Sequence, residues 1–124
     1  MAIESGVSSE ALKEIIVKGM QDKKAKDIVC LDLRKISGAV TDFFVICHGD
    51  SSTQVEAIAR SIGEETLKTV KEKPWHEEGQ TNAEWILLDY VNVVAHVFYK
   101  EARSFYNIEE LWADASIQQV EYEI

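Results

Sequence analysis

The sequence is poor in the residues that break structure: one proline and six glycines in 124 positions, beside 46% apolar residues. That balance argues against a disordered or low-complexity chain. No internal repeat is present, which excludes a solenoid. No apolar run approaches the roughly 20 residues a membrane-spanning helix needs. Met1 to Ser9 lacks a basic cluster followed by an apolar stretch, so no signal or transit peptide is expected, and the expected location is the cytoplasm. There are only two cysteines, Cys30 and Cys47, each inside an apolar run. Buried reduced thiols suit such a chain better than a disulfide between neighbouring strands.

Positive charge is the next scarcity. The net charge is −9. Residues 1–76 carry 11 basic and 12 acidic groups, whereas residues 77–124 carry 2 basic and 10 acidic. Nucleic-acid affinity comes largely from Lys and Arg neutralising phosphates, so the second half would repel RNA or DNA and attract a basic protein. A solvated acidic face that only keeps the chain soluble has the same composition.

What is present fits one α/β (α+β mixed) domain. Leu12, Ile15, Ile16 and Met20 form one helical stripe after a Ser8 or Ser9 cap. Ile28 to Leu33 and Phe43 to His48 read as antiparallel strands, the second apolar on both faces and therefore central. Gly49-Asp50-Ser51-Ser52 opens a long helix in which Ser51 with Gln54, or Thr53 with Glu56, can form a capping box, and Pro74 ends it. Trp75 to Glu78 reads as a short edge strand. Glu84 to Tyr90 and Val93 to Tyr99 read as a hairpin turning at Val91-Asn92. Asn107 is expected to cap a last helix reaching about Ala115. The mixed sheet should have about five strands. Residues 1–8 are expected to be flexible, 9–115 to form the domain, and 116–124 to be a loose or weakly docked tail.

Chemistry-bearing patterns are thin. The Gly49 to Thr53 turn could hold an anion at a helix start, but it lacks a Walker lysine, and Asp50 would repel phosphate. Only Glu121 and Glu123 have the two-residue spacing of a magnesium-binding pair, while Asp32, Asp42, Asp50 and Asp89 lie on separate elements. His48, His76, His96, Cys30 and Cys47 show no metal-ligand spacing. A Cys47–His96 nucleophile pair would lack an oxyanion site. The expectation is therefore no metal, no cofactor and no enzyme.

The richest segment is Glu84-Trp85-Ile86-Leu87-Leu88-Asp89-Tyr90. Trp85, Leu87 and Asp89 share one face of a strand, and Ile86, Leu88 and Tyr90 share the other. Both faces carry large apolar groups. One should pack on a helix; the other is either covered too or is a patch that marks a protein partner.

Four strings carry a resemblance that spans about Ser9 to Ala115. They are I-V-C-L-D-L from Ile28, T-D-F-F-V-I-C-H-G-D-S-S-T-Q-V from Thr41, E-W-I-L-L-D-Y-V-N-V-V-A-H-V-F from Glu84, and R-S-F-Y-N-I-E-E-L-W-A-D-A from Arg103. The last two are specific, and the chain resembles the ribosomal silencing factor (Iojap-like) family. The resemblance implies a nucleotidyltransferase-like fold without its catalytic acids. It also implies binding to ribosomal protein L-fourteen on the large subunit, a block to small-subunit joining, lowered translation when nutrients are short, and dimers in the free state. The rival classes are a small nucleotidyltransferase-like enzyme and a generic dimerisation module. The resemblance places the contact surface at Trp85, Leu87 and Tyr90, with Asp89 and His96 nearby; Tyr90, at the strand end, is taken as free of strict alternation. It gives Arg103, Tyr106 and Trp112 to packing of the last helix, with Arg103 expected to pair a carboxylate such as Asp89 or Asp114. Two residues depart from many relatives: Val91 in place of glycine in the hairpin turn, and Ala95 in place of valine. Val91 disfavours positive φ, so a longer or differently twisted hairpin is expected, which bears on where Tyr90 points.

Overall fold

A computed structural model describes residues 7–120. Ser8 accepts the Ala11 amide at 3.0 Å and starts helix α1 (Ser9–Asp22). Strands β1 (Lys26–Asp32) and β2 (Phe43–Gly49) follow as an antiparallel pair. Ser51 caps α2 (Ser52–Val70) through the Gln54 amide at 3.1 Å, and the Gln54 side chain reaches back to the Asp50 amide at 2.8 Å. Lys71, in the left-handed region at φ 62°, ends that helix before Pro74 is reached. β3 (His76–Glu78), β4 (Trp85–Asp89) and β5 (Val93–Tyr99) complete the expected strands.

The C-terminal segment departs from the sequence-based expectation. Two short helices replace one: α3 (Lys100–Tyr106) and α4 (Ile108–Leu111), hinged at Asn107, whose φ is 47°. Asn107 makes no capping bond to an amide; its side chain instead donates to Glu110 Oε1 at 3.2 Å. Residues 116–119 are not loose. They form β6 (Ser116–Gln119), paired antiparallel with β1. The sheet therefore has six strands in the order β3-β4-β5-β2-β1-β6, with β2 and β5 parallel and every other neighbour antiparallel. Residues 121–124, including Glu121 and Glu123, and residues 1–6 of the expected flexible start lie outside the described residues.

The sheet has two differently covered faces. α1 and α2 pack on the first, burying Cys30, Val45, Cys47, Ile86, Leu88 and Val97 with the helices' own apolar stripes. The two helices cross closely at Gly19, where a Cβ would lie 2.8 Å from the Ile62 Cα. The second face buries Val29, Leu31, Ile46 and Phe98 under a smaller cover supplied by Ala102, Ile108 and Ala115. No helix among the described residues is long and apolar enough to cross a membrane.

Candidate partner-binding face

β4 alternates as its sequence requires. Ile86 and Leu88 are buried under α2, and Trp85, Leu87 and Asp89 are half-buried on the opposite face. On that second face the register sets Trp85 beside Phe98, Leu87 beside His96, and Asp89 beside Val94. Phe44 joins them from β2, its ring 4.6 Å from that of His96. The cover adds two aromatics: Tyr106, 4.8 Å from Trp85, and Trp112, 5.7 Å from Phe44. The result is a continuous aromatic strip from Trp112 through Phe44, His96 and Trp85 to Tyr106. It is only partly roofed. Tyr106 is 44% exposed, and Phe105, edge-on to it at 5.1 Å, is 80% exposed.

Two of the residues assigned to the contact surface are corrected. Tyr90 is buried on the helix side, where its hydroxyl meets Thr66 Oγ1 at 2.9 Å. Strand alternation fixes that direction even at the strand end. Burial pushes its phenol up to about 12. His96 lies on the aromatic face but is buried, at 4% exposure, so it supports the surface and does not form it. Its Nδ1 accepts the Trp85 indole N–H at 3.1 Å. An accepting Nδ1 requires the neutral ring with its proton on Nε2. Desolvation keeps it neutral, lowering its pKa to about 3. The Nε2 proton finds no partner among the described residues.

Asp89 is half-buried and holds the hairpin: its Oδ1 accepts the Val91 amide at 2.8 Å. The expected lengthening of the hairpin does not occur. Val91 takes φ 74°, and the Asn92 amide reaches the Tyr90 carbonyl at 2.9 Å, a tight γ-turn that a β-branched residue enters only with strain. The other end of β4 is fixed by Gly79, at φ 93°, where a Cβ would sit 1.9 Å from the Trp85 carbonyl oxygen.

Arg103 does pair a carboxylate, but that of Glu109 in place of Asp89 or Asp114. It grips Glu109 with Nε and Nη2 at 3.1 and 3.0 Å, and its Nη1 donates to the Asp27 carbonyl at 2.7 Å and to His48 Nδ1 at 2.9 Å. One guanidinium thus ties α3 and α4 to β1 and β2 and locates the cover. Trp112 is half-buried and packs edge-on against Phe44, as expected of a residue that docks the last helix, while Leu111 is 76% exposed. The exposed Phe105 and Leu111 were not anticipated as surface candidates. Their signal was the aromatic-rich R-S-F-Y-N-I-E-E-L-W string, read there as helix packing.

The chemical candidates do not assemble. Cys47 and His96 lie on opposite faces, since Cys47 belongs to the helix-covered core and His96 packs with Phe44 and Trp85. Both cysteines are free and buried, and burial pushes the Cys30 thiol up to about 11 and that of Cys47 higher. Asp32 is held down to about 2 by its hydrogen bonds from Arg34. Asp42 accepts from Ser9 at 2.8 Å, and Asp50 faces Lys26 at 3.7 Å.

Residues 7–124 match the family model described as ribosomal silencing factor during starvation. The chain belongs to the ribosomal silencing factor family. It is 41% identical to the ribosomal silencing factor RsfS of Halalkalibacterium halodurans over 119 residues, covering 93% of this chain and 97% of that one. It is 40% identical to the protein of the same name from Bacillus subtilis, covering 94% and 97%. Among solved structures it resembles a crystal structure of a Chromobacterium violaceum protein with TM-score 0.81 and 30% identity, covering 95% of this chain and 94% of that one. For this silencing-factor chain, the aromatic strip carried on β4, β5 and the C-terminal cover is the candidate contact face.

Proposed function

We propose that this chain is a non-enzymatic translational repressor of the cytoplasm. It binds the large ribosomal subunit through ribosomal protein L-fourteen, and its bulk then keeps the small subunit from joining when nutrients are limiting. The observation that carries the reading is the half-open aromatic face. Trp85 and Leu87 stand on a rigid central hairpin, backed by buried His96 and Phe98 and bordered by the exposed Phe105 and Tyr106. Aromatic anchors on a stiff backing supply most of the energy in many interfaces. The surrounding half of the chain holds 10 acidic against 2 basic groups, and Arg103 is already engaged within the fold, so a basic ribosomal protein is matched in sign. A magnesium-dependent transferase would need converging carboxylates, whereas Asp32, Asp42, Asp50 and Asp89 are engaged separately.

The test is a sucrose gradient of purified large and small subunits with and without the chain. The expected result is that the chain travels with the large subunit and the joined-ribosome peak falls as it is added. A chain that stays at the top of the gradient while subunits join normally would refute the proposal.

A further inference from the structure

On the helix-covered side of the sheet, α2 and the β3–β4 edge leave a groove of roughly 570 Å³. Ile86 and Leu88 lie buried beneath it, and Ala59, Gly63 and Leu67 form its helical wall. Leu67 is 44% exposed, although Val55, Ile58, Ala59 and Ile62 of the same helix are buried. Glu56, Glu64 and Glu77 stand around the groove, and the lining sets only Arg60 against them.

Gly63 is the informative residue. A glycine inside a helix is less stable there than alanine, so its presence calls for a local reason. At Gly19 the reason is the crossing with α2; at Gly63 a Cβ would meet no atom within 4 Å. The fold does not use the space that Gly63 keeps open. The space belongs to the groove.

We propose that this groove docks a basic segment of another protein, which inserts an apolar side chain against Leu67 beside Gly63 and sets its cations against Glu56, Glu64 and Glu77. Charge selects the occupant. A second copy of this chain would bring its own surplus of acid to an acidic rim, and a phosphate backbone would be repelled outright. The groove and the aromatic face lie on opposite sides of the sheet, so the chain could hold two partners at once.

The experiment is amide-resolved NMR of the full chain titrated with a synthetic amphipathic peptide of lysine and leucine, and with its counterpart in which glutamate replaces lysine. The lysine peptide is expected to shift the amides of Gly63, Leu67 and Leu88, and the glutamate peptide is not. Gly63→Leu should weaken the lysine peptide by about tenfold or more, the scale of one buried aliphatic anchor. Glu64→Lys, a surface change, should weaken it as well and keeps the test open if Gly63→Leu folds poorly. Gly63→Ala should raise the melting temperature by about 2–4 °C. Equal binding of both peptides, shifts confined to Leu87 and Tyr106, indifference to both Gly63→Leu and Glu64→Lys, or a lower melting temperature for Gly63→Ala would each overturn the proposal. So would a homodimer that Gly63→Leu dissolves, since the groove's occupant would then be a second copy.

Discussion

Trp85 and His96 are diagonal neighbours on the β4–β5 ladder, and the indole N–H of one points at Nδ1 of the other across 3.1 Å. The bond fixes both the histidine tautomer and the tilt of the indole. It makes Trp85 part of the fold as well as part of the surface.

A pH dependence follows. Burial holds His96 near pKa 3, and burial with the adjacent Arg103 lowers His48, while both titrate near 6.5 in the unfolded chain. As pH falls below about 6.5 the unfolded state takes up protons first, so stability is fully present above that value and is lost on the way down toward 3. His96 alone contributes an average slope of about 1 kcal/mol per pH unit between pH 7 and 5. Urea unfolding at pH 7, 6 and 5 should show the decline, and His96→Gln should flatten it by about that amount. An unchanged slope in the variant would show that His96 is protonated in the folded protein.

Val91 carries strain that glycine would relieve. A β-branched residue at φ 74° costs on the order of 1–3 kcal/mol. Val91→Gly should therefore stabilise the protein, by about 1 kcal/mol after the added freedom of the unfolded chain is subtracted. Thermal melting decides it; a lower melting temperature would mean that the turn is held without strain.

Much of this architecture is legible in the sequence because it rests on local patterns. The apolar alternation of residues 84–98, the Ser51–Gln54 cap and the stripe through Leu12, Ile16 and Met20 each name their element. Alternation also gave the direction of Tyr90, and the strand end does not release it from the rule. The rest depends on contacts distant in sequence. Ser116-Ile117-Gln118-Gln119 has no strand pattern of its own and becomes β6 only by pairing with β1. Lys100 to Tyr106 follows β5 without a turn residue, so nothing local marks where strand becomes helix. The partner of Arg103 was equally out of reach, since its guanidinium joins Asp27, His48 and Glu109 from three separate segments.

Arg103 should be the most sensitive charged position. Arg103→Ala leaves the Asp27 carbonyl, His48 Nδ1 and the Glu109 carboxylate without their donor. The expected loss is about 2–3 kcal/mol. Arg103→Lys should recover little of it, because a lysine cannot present the guanidinium fork to Glu109 and still reach Asp27. Full recovery with lysine, read from chemical unfolding, would show that only the charge is used.

The proposal that the aromatic face is the ribosome contact is tested most directly at Leu87. Its side chain is half-buried on the outer face of β4 and, unlike Trp85, it holds no hydrogen bond on which His96 depends. Leu87→Glu places an acid beside His96 on the face that carries the strip without emptying the core. The measurement pairs thermal melting of the variant with gradient co-sedimentation against purified large subunits. The account predicts a folded variant whose affinity for the large subunit falls by at least about 2 kcal/mol, roughly thirtyfold, as expected for an interface hot spot. A folded Leu87→Glu that co-sediments as fully as the wild type would contradict it.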